Sequence, residues 1–186
     1  YALARDDMDL VWLLNNDTVI EPDCLSKMVE HWQRQPTPAT CGSRILFYDR
    51  PDLIQALGGS RYNPWTALSS QSLGRFLPAN TPIDPAAYEC QLSYIVGASW
   101  LLPRAYLETV GLMDERYFLY CEEIDWVVRA KGRYTLCYAD AARVYHKEGR
   151  SIGSPTNDRP SSLLSDFYIF RNKLWLTRRH FPCALP

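Results

Sequence analysis

An unbroken apolar run from Leu10 to Leu14 is followed at once by the polar residues Asn15, Asn16 and Asp17. A continuous apolar run of this length is typical of a strand that is buried on both faces of a parallel sheet. The polar residues then lie at the carboxyl end of the strand, where open α/β sheets form their ligand-binding crevices. The sequence therefore predicts an α/β fold with a candidate site at this strand end.

Asp17 supplies a carboxylate beside the amide oxygens of Asn15 and Asn16. Hard divalent cations prefer oxygen ligands of this kind, so the segment is a candidate cation site. The alternative is that the three residues only form a turn, because Asn and Asp favour turns through local hydrogen bonds. The segment by itself leaves both interpretations open.

The composition is that of one ordinary globular domain: 186 residues, 47% hydrophobic and 22% charged, with a net charge of −1. This charge gives no indication of nucleic-acid binding. No apolar stretch approaches the length of a transmembrane helix. The cysteines stand far apart without a C-x-x-C pair, which predicts free thiols in a reducing compartment rather than a disulfide framework.

Helical and strand periodicities predict alternating elements along the chain. Helices are predicted over residues 23–34, 103–110, 122–131 and 161–179. Strands are predicted over residues 10–14, 40–48, 53–57, 92–102 (with a break at 97–99), 134–138 and 142–145. The proline-rich segment 61–89 has no sustained period and is either a lid beside Asp17 or a passive surface segment.

The predicted helix 122–131 begins with the carboxylates of Glu122, Glu123 and Asp125. Neighbouring like charges raise the pKa of at least one member, which makes a carboxylate a usable general base. The alternative is that these residues only stabilise the helix N-terminus through its dipole or pair with Arg129 on the surface.

Two further features have a functional and a structural interpretation. His146 ends a predicted strand and opens a basic, glycine-containing loop, which suits a ligand-binding mouth, although a lone histidine is more often structural. The C-terminal helix is aromatic, and its second half is basic. Such a helix is compatible with a membrane surface or phosphate groups, or with packing of its aromatic face on the core.

Taken together, several segments resemble the bacterial family 2 glycosyltransferases of the rhamnosyltransferase-like group. They are residues 13–18 (LLNNDT), 94–99 (YIVGAS), 111–115 (GLMDE), 117–118 (YF), 122–126 (EEIDW), 145–147 (YHK) and 171–172 (RN). The resemblance implies a GT-A fold, a mixed, mostly parallel sheet flanked by helices. It also implies inverting, metal-dependent transfer from a nucleotide-diphosphate sugar.

The resemblance assigns the metal-binding and donor-binding residues. The family's Asp-x-Asp motif appears here as Asn15-Asn16-Asp17, so the first carboxylate is missing and Asp17 remains the main acidic ligand. His146 matches the position that completes the site for Mg²⁺ or Mn²⁺. The donor-binding residues are expected to be Asn15, Asn16, Lys147 and Arg150.

The resemblance also assigns the base and the acceptor contacts. Glu123 matches the general base, with Glu122 and Asp125 as further catalytic candidates. The acceptor-binding residues are expected to be Gly97, Ala98, Ser99 and Trp126.

Such enzymes place a nucleotide-binding half ahead of the Asn15 strand, and this sequence lacks those strands. We therefore expect residues 1–186 to be a single, N-terminally truncated catalytic domain with the metal, base and acceptor half. By itself it is expected to be inactive. The open edge of the strand at residues 10–14 is expected either to cause self-association or to be covered by other segments.

The expected function is inverting transfer of rhamnose or another hexose to a glycan or lipid-linked acceptor in cell-surface polysaccharide synthesis. The expected location is cytoplasmic, at the inner face of the cell membrane, with peripheral contact through the C-terminal basic helix. Two alternatives remain: a catalytically silent carbohydrate- or protein-binding module derived from the same fold, and a metal-dependent hydrolase.

Overall fold

A mixed sheet forms the centre of the computed structural model, which describes residues 1–69, 72–147 and 162–184. One pair, β3–β10, is parallel, and the other pairs described in this sheet are antiparallel. The predicted α/β class, a mixed sheet flanked by helices, is confirmed. In spatial order the strands are β1 (Leu10–Leu14), β9 (Ser99–Pro103), β3 (Ala39–Phe47), β10 (Thr135–His146) and β2 (Thr18–Ile20), with β4 (Ile54–Leu57) beside the end of β3.

Helices and short strands surround this sheet. The small strands are β5 (Gly59–Ser60) with β8 (Tyr94–Ile95), and β6 (Tyr62–Asn63) with β7 (Leu68–Ser69). The α-helices are α1 (Cys24–Gln33), α2 (Pro85–Glu89), α3 (Arg104–Val110), α4 (Glu122–Ala130) and α5 (Leu163–His180). The predicted helices correspond to α1, α3, α4 and α5. Over the ranges given above, no helix combines the length and the apolar character that crossing a membrane requires.

The apolar run in β1 is explained by packing on both faces of the strand. Leu10 and Trp12 contact the cluster around Met28 of α1, whereas Val11 and Leu13 contact the cluster formed with α3 and α4. The prediction that both faces are covered is therefore confirmed. The predicted parallel pairing of this strand is wrong, because β1 is antiparallel to β9 and lies at the edge of the sheet as described.

The two strands predicted over 134–138 and 142–145 are one strand, β10, with a β-bulge. Its register against β3 shifts between Ala139 and Arg143. The bulge places Asp140 beside the buried guanidinium of Arg44, with Oδ1 3.0 Å from Nε. Arg44 also donates to the carbonyl oxygen of Ala79, and this hydrogen bond holds the long 61–89 segment against the sheet.

Candidate functional site

Asp17 and His146 lie next to each other because β2 and β10 are paired. Thr18 is opposite His146 in this antiparallel pair, and Lys147 N donates to the carbonyl oxygen of Asp17. The imidazole Nε2 of His146 is 3.3 Å from Oδ1 of Asp17, and the two side chains are 12% and 17% exposed. Two ligands of one cation have to approach each other in this way, from a position open to solvent.

The orientation of the His146 ring is fixed by Gln55 on β4. Nδ1 of His146 lies 2.9 Å from Oε1 of Gln55, whose side chain is buried. In the His146 tautomer that carries its proton on Nδ1, this nitrogen donates to the Gln55 oxygen. The lone pair of Nε2 is then directed toward Asp17. Metal-binding histidines usually have such a partner, which fixes the tautomer and the ring orientation. The carboxylate of Asp17 beside this imidazole forms a pair of donors that can bind Mn²⁺ or Mg²⁺.

Three of the four residues expected to bind the donor are close to Asp17 or His146 in the chain. Asn15 and Asn16 lie in an exposed turn closed by a hydrogen bond from Thr18 N to the carbonyl oxygen of Asn15. The segment does form a turn, and the turn leaves the side chains of Asn15 and Asn16 exposed, so it is compatible with a site as well. Lys147 Nζ is 4.5 Å from the centre of the Tyr48 ring. Arg150 lies outside the described residues.

Glu122 and Glu123 form a half-buried carboxylate pair in the first turn of α4. Glu123 Oε1 accepts a hydrogen bond from Gly97 N at 3.3 Å. Burial raises the pKa of Glu123, and burial followed by the charge of Glu123 raises the pKa of Glu122 to about 8. Two neighbouring carboxylates that are removed from water resist being ionised together.

The turn before α4 is strained and is held by a residue of α5. Phe118, Tyr120 and Cys121 have φ angles of +60°, +66° and +71°, which are costly for residues with a side chain. The fully buried Asn172 donates from Nδ2 toward the carbonyl oxygens of Tyr117, Leu119 and Tyr120, at 2.8, 2.6 and 2.9 Å. Residues 171–172 belong to the family resemblance, but the sequence offered no signal for this role.

Asp125 does not join the glutamate pair. Its side chain is 0% exposed and accepts hydrogen bonds from Arg129 Nε at 2.8 Å and from Tyr117 Oη at 3.2 Å. His180 Nε2 lies 2.7 Å from the same carboxylate, and Arg179 is also within bonding distance. Asp125 therefore joins α4 to α5, and its expected catalytic role is corrected to a structural one.

Trp126 is part of the core rather than a contact for an acceptor. Its side chain is buried and packs edge-on against Trp100 and Tyr106, with ring centroids 5.2 and 5.1 Å away. Its indole N–H donates to the carbonyl oxygen of Gly111 at 2.7 Å. The expected acceptor contact is wrong because the ring has no access to solvent.

Of the three small residues expected to line the acceptor pocket, only Gly97 is partly exposed. Ala98 is buried against Ile45 on β3. Ser99 is fully buried, and its hydroxyl accepts a hydrogen bond from Trp12 Nε1 at 3.1 Å. The expectation that the side chains of Ala98 and Ser99 contact an acceptor is therefore wrong. The main chain at Gly97 remains a candidate for contact with an acceptor.

One short segment connects the two halves of the site. Gly97 N contacts the carboxylate of Glu123, and the carbonyl oxygen of the next residue, Ala98, accepts a hydrogen bond from Asn15 N at 3.1 Å. The glutamate pair and the Asn15–Asp17 turn thus lie on either side of this segment. Glu123 and the candidate cation site are therefore linked through the adjacent residues Gly97 and Ala98.

Residues 1–111 match the family described as Glycosyl transferase family 2. The chain belongs to glycosyl transferase family 2. This match confirms the resemblance found in the sequence, and with it the glycosyltransferase class.

Curated relatives of this glycosyltransferase include proteins from two strains of Mycobacterium tuberculosis. Each carries the name N-acetylglucosaminyl-diphospho-decaprenol L-rhamnosyltransferase. Each is 29% identical over 178 residues, which are 87% of this chain and 54% of the relative. The O-antigen biosynthesis protein RfbC of Myxococcus xanthus is 23% identical over 154 residues, 79% of this chain and 12% of that protein. The chain spans about half the length of the mycobacterial relatives.

Proposed function

We propose that this glycosyltransferase takes part in inverting transfer of rhamnose or another hexose from a nucleotide-diphosphate donor to a lipid-linked or glycan acceptor. The acceptor would be an intermediate of cell-surface polysaccharide synthesis. The observation that carries the proposal is the pair of Asp17 and His146, 3.3 Å apart, on one side of the segment that holds Glu123 on the other. The names of the mycobacterial relatives support the sugar and the lipid-linked acceptor.

On the donor side, Asp17 Oδ1 and His146 Nε2 would hold Mg²⁺ or Mn²⁺, with Gln55 keeping the imidazole in place. When bound, the cation supplies a Lewis acid that neutralises charge on the diphosphate leaving group. Asn15 and Asn16 would complete the polar surface with amide groups. Lys147 and Arg150 would add positive charge toward the diphosphate.

On the acceptor side, Glu123 would accept the proton of the attacking hydroxyl group. Its carboxylate is oriented by Gly97 N, and Glu122 would carry the proton that the pair shares. A general base works best when its pKa lies near the operating pH, which burial of this pair favours. Attack from the side opposite the diphosphate would invert the sugar carbon.

We further propose that residues 1–186 provide the metal, base and acceptor half of a GT-A catalytic domain. The β1 edge would then pair with another part of the protein, or with a second copy when the 186 residues stand alone. The 186 residues alone are expected to bind nucleotide sugars weakly and to lack transfer activity. Sedimentation velocity on this chain tests the self-association part, because a clean monomer at all concentrations would exclude it.

The outer face of α5 supports the proposal of peripheral membrane contact. The contact would lie at the inner face of the cell membrane, because the free cysteines would remain reduced on that side. A row of exposed apolar side chains follows this face at helical spacing, and Arg171 and Arg178 lie beside it. The row consists of Leu163, Phe167, Phe170 and Leu174, which are 89%, 58%, 71% and 65% exposed. Apolar rows with basic neighbours are typical of helices that lie in a membrane interface.

Flotation with vesicles that contain anionic lipid tests the membrane contact. The double variant F167S/F170S should lose most of the binding, because apolar area drives insertion into the interface. A matched control, L112S/W65S, removes exposed apolar side chains elsewhere. Equal binding of both variants and the parent protein would exclude α5 as the contact.

The decisive test of the enzymatic proposal is donor binding and transfer in the full-length protein. A panel of nucleoside-diphosphate sugars that includes rhamnose should raise the melting temperature only when Mn²⁺ or Mg²⁺ is present. Glu123→Gln should retain this shift while its turnover falls roughly 10²–10⁴-fold, the usual contribution of a general base. Glu115→Gln, at an exposed position of the neighbouring turn, is the matched control.

The missing first carboxylate of the Asn15-Asn16-Asp17 motif favours a second candidate, a catalytically silent carbohydrate-binding module. Binding of glycans that is unaffected by EDTA, without any metal-dependent shift by nucleotide sugars, would support this candidate against the transferase. Release of free sugar from the donor in the absence of an acceptor would instead indicate a hydrolase.

A further inference from the structure

A second group of potential metal ligands lies at the other end of the sheet. His31 in the last turn of α1, Glu89 at the end of α2 and Cys137 on β10 direct one ligand atom each to a common point, within 4.8 Å of one another. None of them belongs to the site described above. We infer that these three residues bind a Zn²⁺ ion that fastens α1 and α2 to the sheet.

The donor atoms and their spacing fit zinc. An imidazole nitrogen, a carboxylate oxygen and a sulfur are the three ligand types that Zn²⁺ accepts together, whereas Mg²⁺ does not favour a thiolate ligand. Nε2 of His31 and Oε1 of Glu89 are 3.0 Å apart. Metal–ligand bonds of about 2.0–2.1 Å in a tetrahedral site place neighbouring nitrogen and oxygen ligands about 3.3 Å apart. This pair therefore needs only a small adjustment, and the sulfur of Cys137 lies within 4.8 Å of both atoms.

The surroundings of the three ligands also suit a bound ion. Tyr138 N donates to Glu89 Oε1 at 2.7 Å, which fixes the carboxylate beside Cys137. Cys137 is buried, whereas the side chains of His31 and Glu89 are 24% and 21% exposed. A cation can thus reach the thiol from the solvent side between His31 and Glu89, and a water molecule can fill the fourth position there.

The distance from the Asp17–His146 pair indicates a structural rather than a catalytic role. Cys137 pairs with Cys41 and His146 pairs with Phe47 on β3, six residues further along, which corresponds to roughly 20 Å at about 3.3 Å per residue. Zinc at this point would join three elements whose residues are far apart in sequence. Because Glu89 ends the long 61–89 segment, the ion would fix the base of that segment to the sheet.

Titration of the 186-residue chain with Co²⁺, followed by Zn²⁺, tests the inference. Co²⁺ is a spectroscopic substitute for Zn²⁺, and coordination by a thiolate gives a near-ultraviolet charge-transfer band. We expect this band at one equivalent of Co²⁺ and its loss on addition of Zn²⁺. Cys137→Ser should abolish the band, whereas Cys183→Ser, which removes an exposed thiol elsewhere, should leave it unchanged.

His31→Gln provides a second variant at a partly exposed position where the fold tolerates a polar side chain. It should weaken Zn²⁺ binding at least tenfold and remove the rise in melting temperature that Zn²⁺ gives the parent chain, with an unchanged circular dichroism spectrum. The inference fails if no thiolate band forms, or if the band survives in folded Cys137→Ser. It also fails if His146→Asn, rather than His31→Gln, removes the zinc-dependent shift.

Discussion

The side-chain nitrogen of Asn172 lies 2.6 Å from the main-chain carbonyl oxygen of Leu119, in the middle of the strained turn that precedes Glu122 and Glu123. The same nitrogen is within hydrogen-bond distance of two neighbouring carbonyl oxygens. Arg171 adds a hydrogen bond to the carbonyl oxygen of Tyr117. The direction in which the glutamate pair enters α4 therefore depends on a residue of α5 that is about fifty positions away in sequence.

Asn172→Ala should destabilise the protein strongly. The substitution removes the side-chain donor of the carbonyl oxygens of Leu119 and Tyr120, in a turn whose φ angles are already unfavourable. Each unsatisfied group costs about 1–3 kcal/mol, so we expect a loss on the order of 3 kcal/mol in the free energy of unfolding. Denaturant titration measures it. Asn80→Ala, at an exposed position, should change this value little, and an equally small effect of Asn172→Ala would show that the turn does not need this residue.

Glu122 should make the protein less stable as the pH rises. Its folded-state pKa is raised to about 8 from an ordinary value of 4.5 by burial and by the charge of Glu123. The folded protein thus holds this proton more tightly than the unfolded chain. The resulting contribution to stability is complete below pH 4.5 and is lost as the pH rises through 8.

Glu122→Gln should remove most of this dependence, since the amide does not ionise. Between pH 6 and pH 9 we expect the parent to lose on the order of 2 kcal/mol more than the variant. Melting curves across this range measure the difference, with Glu115→Gln as the exposed control. Parallel pH profiles for the parent protein and Glu122→Gln would contradict the raised pKa.

Gly97→Ala should disturb the base without unfolding the sheet. A Cβ at this position would lie 2.7 Å from Oε1 of Glu123, closer than such contacts allow, so the carboxylate must move. We expect transfer activity to fall at least tenfold while donor binding remains. The control is Gly132→Ala, which has a left-handed φ but no atom within 4 Å of the new methyl group. Unchanged activity would mean that the position of this carboxylate is not critical.

Gln55→Leu should weaken binding of Mn²⁺ at Asp17 and His146 without removing a ligand. The buried leucine keeps the volume of the side chain but cannot fix the imidazole through Nδ1. Loss of such a partner usually lowers metal affinity about 10–100-fold. Electron paramagnetic resonance titration with Mn²⁺ measures the change against Gln33→Leu, an exposed position on α1. Equal Mn²⁺ affinities of the two variants would argue against an orienting role for Gln55.

Elements with a strong local pattern could be predicted from the sequence. The apolar run of β1, the helical spacing of α1 and the helix α3, bounded by Pro103 and Gly111, appear at the expected residues. The meeting of Asp17 with His146 could be anticipated from two strand ends. Strand β2 was missed because three residues carry too little periodicity, and the bulge in β10 was read as a gap between two strands.

The errors at the site concern burial, which depends on partners distant in sequence. Asp125 is surrounded by donors from α5, and Trp126 is enclosed by Trp100 and Tyr106. On the helix alone, both residues share the polar face with Glu122. Periodicity within one element could not show that a second helix and a strand cover that face. The burial of Ser99 is unpredictable for the same reason, because its hydroxyl group is covered by the indole of Trp12, which is distant in sequence.

The order of strands in the sheet determines when this protein can fold during synthesis. Leu14 pairs with Ser99, and Thr18 pairs with His146. Strands that are translated early therefore have partners that are translated much later. At about 5–20 residues per second, β2 is translated roughly 6–25 s before its partner residues. Throughout much of that time β9, the strand that β1 pairs with in the described sheet, has not yet been made. The segment that forms the candidate site therefore reaches its final position only after most of the 186 residues have left the ribosome.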